Sequence, residues 1–349
     1  MELALYCPVY GYYEKETDNP GRSGDYFTSV SVGELFGELL AFQFADWLGE
    51  IRHPDSALWI AESGAHDGRL ANDILTWLRG NRTALFQRVQ YLLVEPSALR
   101  QRRQRANLAG FGEKARWLAS WEEWPRRQVD GGLRGIVFSN ELFDALPVHR
   151  LGWDARSRSW FEWGVRLQNG KFDPARIRTS LAEARGPKLP DELSDHIPDE
   201  FTIEICPAAE NLWSAAAGVL EQGRMLTIDY GLTSEERFAP ERKDGTLRGY
   251  YRHHLAPDPL ANAGEQDLTA HVNFSALQAA GESAGLRTDA LLAQETFLAQ
   301  IVGKMAERPS ESMQWSPARA RQFQTLTHPG HIGRAFRVLI QSRQPPFAG

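Results

Sequence analysis

An apolar segment that ends on a carboxylate and runs into a glycine turn reads ALWIAESGAHDG over residues 57–68. Its apolar part is typical of a buried strand of a parallel sheet, and Glu62 then stands at the carboxyl end of that strand. Open α/β folds bind their ligands at this edge of the sheet. Gly64 and Gly68 allow backbone and ligand to approach closely, so the stretch predicts a ligand site before a helix that begins near Arg69.

A second strand of the same kind follows, VQYLLV over residues 89–94, and it ends on Glu95. A carboxylate that ends the next strand of a βαβ unit can accept hydrogen bonds from ribose hydroxyls. Together the two strands predict a nucleoside-containing cofactor. The alternative is a helix-capping turn beside an exposed glutamate, because the strict Gly-x-Gly-x-x-Gly fingerprint is absent and His66 stands where a middle glycine would be.

Strands and helices alternate through the first half of the chain, which indicates an α/β fold with a parallel sheet. The pattern predicts strands at 57–62, 89–95, 115–119 and 134–139, with helices at 69–80 and 97–109. After a region with a different, antiparallel strand pattern, strands at 224–228 and 337–341 continue the parallel sheet. A long polar loop is expected at 232–272. The predicted organisation is an N-terminal lid and helix segment (1–50), a core (51–147 and 222–349) and an inserted β-rich and helical subdomain (148–221).

Composition narrows the function classes. The chain has 349 residues and a net charge of −6, which does not favour a nucleic-acid groove. Its two cysteines form no Cys-x-x-Cys pair and its histidines have no metal-ligand spacing, so no metal site is predicted. No apolar run approaches the length of a membrane span, and the N-terminus does not resemble a signal peptide. We therefore expect a cytoplasmic protein without a membrane span.

A second acidic motif, NELFDALPV over residues 140–148, follows the apolar strand at 134–139. Asn140 and Glu141 are expected at the same sheet edge as the first two acidic residues. Glu141 and Asp144 are three residues apart, so in a helical turn they share one face and can bind a guanidinium group together. The alternative is that Asp144 caps a turn and Glu141 is exposed.

A polar and aromatic segment, GDYFTS over residues 24–29, precedes a helix predicted at 32–48. Its mixture suits a lid that closes over a ligand. The alternative is that Thr28 or Ser29 only caps the following helix.

These motifs occur in a fixed order along the chain, and in that order the chain resembles a known family, the MidA-like class I S-adenosylmethionine-dependent methyltransferases. The family includes the mitochondrial arginine methyltransferase that assists assembly of respiratory complex I. The resemblance runs from Leu5 to about Gly285, and its most specific part is the segment at 140–148. The other matching segments are YGYY at 10–13, GDYFTS at 24–29, LFGE at 35–38 and DYG at 229–231.

The resemblance implies a class I methyltransferase (Rossmann-like) seven-stranded sheet whose last strand is antiparallel. It implies S-adenosylmethionine as cofactor, a protein substrate such as a respiratory complex subunit, and a homodimer as one assembly state. Catalytic roles fall to Glu141 and Asp144. The implied cofactor-binding residues are Gly24, Asp25, Thr28, Glu62, Gly64, Gly68, Glu95 and Asn140, with Glu95 on the ribose and Gly24, Asp25 and Thr28 closing over the site.

One departure from the family stands in the first turn. Family members typically read ELGPGRG there, whereas this chain reads ESGAHDG, with His66 in place of a glycine and Asp67 in place of an arginine. A histidine hinders a positive φ less than most residues do. The leading hypothesis is methylation of a protein side chain, with arginine favoured. The alternatives are a catalytically degenerate assembly protein on the same fold and a Rossmann-type dehydrogenase.

Overall fold

The computed structural model describes residues 1–15, 28–51, 57–124, 132–177, 179–251, 254–308, 315–330 and 333–344. Gly24 and Asp25, which were predicted to close over the cofactor, lie outside the described residues. None of the described helices has the length and apolar character that crossing a membrane requires.

The described helices are α1 (Glu2–Tyr6), α2 (Leu35–Gly49), α3 (Arg69–Asn81), α4 (Thr83–Arg88), α5 (Ala98–Asn107), α6 (Ser180–Arg185), α7 (Asp191–Ser194), α8 (Pro207–Val219), α9 (Phe274–Ser283), α10 (Gln294–Ala306) and α11 (Pro317–Thr327). The described strands are β1 (Leu58–Ser63), β2 (Val89–Val94), β3 (Ala115–Leu118), β4 (Leu133–Asn140), β5 (His149–Asp154), β6 (Ser159–Gln168), β7 (Lys171–Ile177), β8 (Thr202–Ile205), β9 (Leu220–Leu232), β10 (Arg248–Tyr251), β11 (His254–Ala256), β12 (Asp267–Thr269), β13 (Val272–Asn273), β14 (Arg287–Ala293) and β15 (Phe336–Arg343).

The central sheet has the order β14-β15-β9-β4-β1-β2-β3. Strands β3, β2, β1, β4 and β9 pair in parallel, and β15 pairs antiparallel with both of its neighbours. The predicted seven-stranded sheet with an antiparallel last strand is therefore confirmed, with β15 lying between β9 and β14. The short strand β13 adds a further parallel pair to β9.

Apolar clusters cover both faces of this sheet. One cluster includes the side chains of α2 and α3, and the other includes those of α8 and α9. Almost every residue of α2 is buried, as expected for a helix that is apolar on all sides. Helix α2 begins at Leu35 and not at 32, because Val30–Val32 form a 3-10 helix. Thr28 and Ser29 therefore do not cap α2, contrary to that alternative.

Residues 149–205 include a separate antiparallel sheet in the order β7-β6-β5-β8, within the predicted insertion. Helix α8 packs on the central sheet, where the Trp213 indole donates a hydrogen bond to Gln341 Oε1 at 2.8 Å. The three-part domain division stays a prediction.

The predicted loop at 232–272 is wrong, because this region forms β10, β11 and β12 through backbone pairing that its polar composition does not reveal.

Close pairing of β1, β4 and β9 depends on Gly135. Its φ is 151°, and a Cβ on this residue would collide with the carbonyl oxygen of Trp59 on β1. We expect Gly135→Ala to lower the free energy of unfolding by about 3 kcal/mol, since backbone cannot yield as a side chain can. Urea denaturation measures this change.

Gly80→Ala is the matched control, because Gly80 lies in α3 with no atom within 4 Å of an added Cβ. There the substitution should stabilise the helix by up to about 1 kcal/mol. Equal stability of Gly135→Ala and the wild type would contradict the proposed close approach of the strands.

Candidate active site

A cavity of about 720 Å³ lies at the carboxyl ends of β1, β2 and β4. Six of the predicted site residues line it, namely Thr28, Glu62, Gly64, Glu95, Asn140 and Glu141. Two predicted residues do not line it: Gly68 packs against α5, and the Asp144 side chain is buried. The parallel sheet therefore brings most of the dispersed acidic motifs to one site.

Glu62 ends β1 and is almost fully buried. Its Oε2 accepts a hydrogen bond from the Tyr91 hydroxyl at 2.6 Å. Burial raises the pKa of Glu62 to about 8, more than the Tyr91 hydrogen bond lowers it. Near neutral pH this side chain is therefore largely a neutral acid, which can donate as well as accept a hydrogen bond.

The turn after β1 has the backbone that close approach requires. Gly64 has a φ of 71°, and a Cβ there would lie 2.6 Å from Leu142 Cδ1. His66 has a φ of 48°, so the histidine adopts the left-handed conformation expected for the glycine it replaces. Asp67 Oδ1 accepts a hydrogen bond from the Arg69 N–H at 3.0 Å at the start of α3. His66 and Asp67 are therefore compatible with a tight turn that runs directly into α3.

Glu95 follows β2 and is also buried. Its carboxylate accepts hydrogen bonds from the Ser97 N–H at 2.9 Å and from Gln104 Nε2 at 3.3 Å. Burial raises the pKa of Glu95, although these hydrogen bonds and the nearby Arg100 oppose the change. The carboxylate is thus held rigidly at the cavity wall, where it can accept hydrogen bonds from a ligand.

Asp229 at the end of β9 organises the loop that follows β4. Its fully buried Oδ2 accepts the N–H groups of Leu142, Phe143 and Asp144 at 3.2, 2.9 and 3.3 Å. Its Oδ1 accepts the Tyr230 N–H at 2.9 Å. The carboxylate therefore fixes the backbone that carries the second acidic motif.

Glu141 enters that loop with a φ of 51°. Its Oε1 accepts hydrogen bonds from the Ser29 N–H at 2.8 Å and from Asn140 Nδ2 at 3.0 Å. Burial raises the pKa of Glu141 to about 7. Burial and the negative charge of Glu141 also raise the pKa of Asp144, whose Oδ1 has no hydrogen-bond partner among the described residues. Burial therefore favours the neutral form of both carboxyl groups.

Comparison with known proteins identifies the family. A family described as "Putative S-adenosyl-L-methionine-dependent methyltransferase" matches residues 39–292, which is well over half of the chain. The chain belongs to this methyltransferase family. The protein is therefore an S-adenosylmethionine-dependent methyltransferase, and the dehydrogenase alternative is wrong.

Individual relatives agree with this assignment. The mouse mitochondrial protein arginine methyltransferase NDUFAF7 is 29% identical over 85% of this chain and 68% of its own length. Its fruit-fly (Drosophila melanogaster) homolog is 26% identical over 97% of this chain and 79% of its own length. A crystal structure of a "likely methyl transferase" from Burkholderia thailandensis, bound to S-adenosylhomocysteine, is 31% identical and has a TM-score of 0.81. That match covers 98% of this chain and 86% of the other.

The cavity of this methyltransferase fits its cofactor. Asn140 Oδ1 is buried without a hydrogen-bond partner among the described residues, so it lacks a donor such as the cofactor's ammonium group. The carboxyl groups of Glu62, Glu95 and Glu141 suit a ligand that carries a sulfonium, an ammonium and ribose hydroxyls. Across the described ranges, no three His, Cys, Asp or Glu side chains are grouped so that they could hold a metal ion.

Several residues that line the cavity are not among the site residues predicted from the sequence. Tyr6 and Tyr13 reach the cavity from the N-terminal segment, where their hydroxyls donate to Ala145 O at 3.0 Å and Asp267 Oδ1 at 2.7 Å. The aromatic segment at 10–13 was a signal for Tyr13, but Tyr6 had none. The turn after β3 and one side of α8 complete the wall with Ala119, Ser120, Trp121, Glu122, Ala208, Asn211, Leu212 and Ala215.

The role of Asp229 generates a prediction. Asp229→Ala should lower the free energy of unfolding by about 3 kcal/mol, because it leaves buried N–H groups without an acceptor. Hydrogen exchange should accelerate most at the amides of Leu142, Phe143 and Asp144. Mass-spectrometric exchange and urea denaturation measure both effects.

Asp229→Asn is the matched variant, since its carbonyl oxygen can still accept these N–H groups. We expect it to keep most of the stability and exchange protection that the alanine variant loses. Equal losses in the two variants would show that the acceptor oxygen is not what orders the loop.

Proposed function

We propose that the protein transfers the methyl group of S-adenosylmethionine to an arginine side chain of a protein. The observation that carries this proposal is the buried Glu141 carboxyl group at the cavity wall, with the Asp144 and Asp229 carboxyl groups in electrostatic contact with it. Clustered carboxylates in a site of low dielectric constant favour a cationic, planar donor such as guanidinium. The names of the mouse and fly relatives support the same substrate.

In this proposal Glu95 accepts hydrogen bonds from the ribose, and Asn140 Oδ1 accepts one from the ammonium group. Thr28 contacts the bound molecule from the cavity wall. Glu62, Gly64 and Gly68 shape the turn beside the methionine part. When bound, S-adenosylmethionine supplies an electrophilic methyl group on a positively charged sulfur.

Glu141 orients the guanidinium group by accepting its N–H hydrogen bonds, so that one nitrogen faces the methyl carbon. A nitrogen–carbon bond then forms as the carbon–sulfur bond breaks and S-adenosylhomocysteine is released, and the proton that leaves the nitrogen passes to the Glu141 carboxylate. Asp144 does not line the cavity, so in this proposal it acts on the guanidinium only through its electrostatic contact with Glu141. Catalysis on this account is mostly positioning of two reactants. A respiratory complex subunit as substrate, a homodimer and a cytoplasmic location stay predictions.

The role of Glu95 leads to a binding prediction. Glu95→Ala should weaken S-adenosylhomocysteine binding about a hundredfold, because hydrogen bonds from ribose hydroxyls to a buried charged acceptor are lost. Isothermal titration calorimetry measures the change. Glu192→Ala on the exposed helix α7 is the control and should bind like the wild type. An unchanged affinity of Glu95→Ala would refute the ribose contact.

The arginine proposal is tested by methyl transfer to a matched pair of peptides that differ only in one arginine or lysine. Mass spectrometry should find methylation of the arginine peptide and none of the lysine peptide. The KM for the arginine peptide should fall as the pH rises through about 7, because Glu141 then loses its proton and gains the charge that holds the cation.

Glu141→Gln removes that charge while keeping a hydrogen-bond acceptor. It should lower kcat/KM at least about a hundredfold and abolish the pH dependence of KM around neutrality. S-adenosylhomocysteine binding should remain measurable in this variant. Methylation of the lysine peptide alone, or no transfer to either peptide despite cofactor binding, would contradict the arginine assignment.

A further inference from the structure

The cavity wall is mainly acidic, whereas the cofactor has one anionic group. Its described acidic lining residues are Glu62, Asp67, Glu95, Glu122 and Glu141. The carboxylate of S-adenosylmethionine is repelled by such a wall and requires a cationic or N–H partner. The described basic lining residues are His66, Arg69 and Arg100.

Arg100 lies at the proposed ribose end of the cavity, and Arg69 is largely exposed. The Arg100 guanidinium lies over the Tyr13 ring at 5.0 Å from its centroid and next to Glu95, so it belongs to the proposed ribose end. The Arg69 side chain is 59% exposed, and its Nη2 lies 3.4 Å from Asp67 Oδ2. The remaining basic group, His66, stands in the turn between β1 and α3, on the wall that continues to Gly64.

The turn holds His66 in a defined position. Its carbonyl oxygen accepts a hydrogen bond from Gln104 Nε2 at 3.0 Å, and its Nδ1 lies 3.8 Å from Asp67 Oδ1. Asp67 in turn is fixed by the Arg69 N–H and, through its carbonyl oxygen, by Asn107 Nδ2 at 2.8 Å. The positive end of the α3 helix dipole also lies at this turn.

We propose that His66 binds the carboxylate of S-adenosylmethionine through its imidazolium form, with Asp67 as the positioning residue that orients the ring. Burial disfavours a charged Asp67, but the hydrogen bonds from His66 and the Arg69 N–H hold the pKa of Asp67 below its ordinary value. The carboxylate beside the ring is therefore charged near neutral pH. The pair His66–Asp67 stands at the two positions where the resembling family has a glycine and an arginine.

This inference rests on the cofactor and not on the arginine substrate. Its test therefore uses ligand binding without any peptide. Failure of arginine methylation leaves the test intact, and loss of the His66 contact leaves the arginine proposal intact.

The first experiment compares two ligands by isothermal titration calorimetry. S-adenosylhomocysteine carries the carboxylate, and its decarboxylated analogue keeps the adenosine, the sulfur and the ammonium group. His66→Asn should weaken S-adenosylhomocysteine binding about tenfold, as expected for a partly exposed charge-assisted hydrogen bond. Binding of the decarboxylated analogue should change by less than about twofold, because asparagine tolerates the left-handed backbone at this position.

His149→Asn is the matched control. His149 Nδ1 lies 2.7 Å from Glu162 Oε1, so it is another imidazole–carboxylate pair, but it stands on β5 and β6 and does not line the cavity. This variant should bind both ligands like the wild type. The comparison separates the position of His66 from the general loss of an imidazole.

The second experiment follows the pH dependence of binding in the wild type and in His66→Asn. For the wild type, the ratio of the two affinities should favour S-adenosylhomocysteine most at about pH 5.5 and decline towards about pH 8, as the imidazolium loses its proton. Glu62, Glu95, Glu141 and Asp67 also face the cavity and repel the carboxylate more strongly as they ionise, which lowers the same ratio. His66→Asn is therefore titrated in the same way, and its ratio should decline less than that of the wild type.

Three results would overturn the proposal. An equal loss of affinity for both ligands in His66→Asn would mean that His66 only shapes the turn. Unchanged or improved binding of S-adenosylhomocysteine would mean that His66 does not contribute to the affinity for this ligand or lowers it. An affinity ratio in the wild type that does not vary with pH would exclude a titrating partner for the carboxylate, whatever the variant does.

Discussion

The buried carboxylate of Asp229 is the interaction on which the site depends. Its Oδ2 accepts hydrogen bonds from three N–H groups of the loop after β4, and its Oδ1 accepts a fourth from the Tyr230 N–H. The Glu141 N–H also donates to Ile228 O at 2.9 Å, so the ends of β4 and β9 are joined twice. A loop held in this way can keep Glu141 at a positive φ that it would rarely adopt alone.

Burial of acidic groups at one sheet edge determines the electrostatics of the cavity. Desolvation raises the pKa of Glu62 to about 8 and that of Glu141 to about 7, and it also raises the pKa of Glu95. Glu62 and Glu141 are therefore poised between neutral and charged forms near physiological pH. A cationic ligand would stabilise the charged forms, which is why a site of this kind suits a sulfonium cofactor and a basic acceptor.

Local patterns predicted much of the fold. The strands that lead to Glu62 and Glu95, the glycine turn and the alternation of strands and helices up to residue 139 are confirmed. The ends of these elements are displaced by one or two residues. Strands β10 to β12 were missed because their polar residues pair through backbone groups. Tyr6 and the wall from α8 were missed because their partners lie far away along the chain, and no local periodicity records such contacts.

The sequence by itself determined the positions of the first four strands to within two residues, the order of the motifs and the family, because each of these depends on neighbouring residues. Only the tertiary structure decided that Asp144 is buried away from the cavity while Glu141 lines it, since their separation of three residues allowed either outcome. It also decided that His66 keeps the backbone of the glycine it replaces. Burial, pKa and backbone strain depend on groups that packing brings together from distant parts of the chain, and no local pattern contains them.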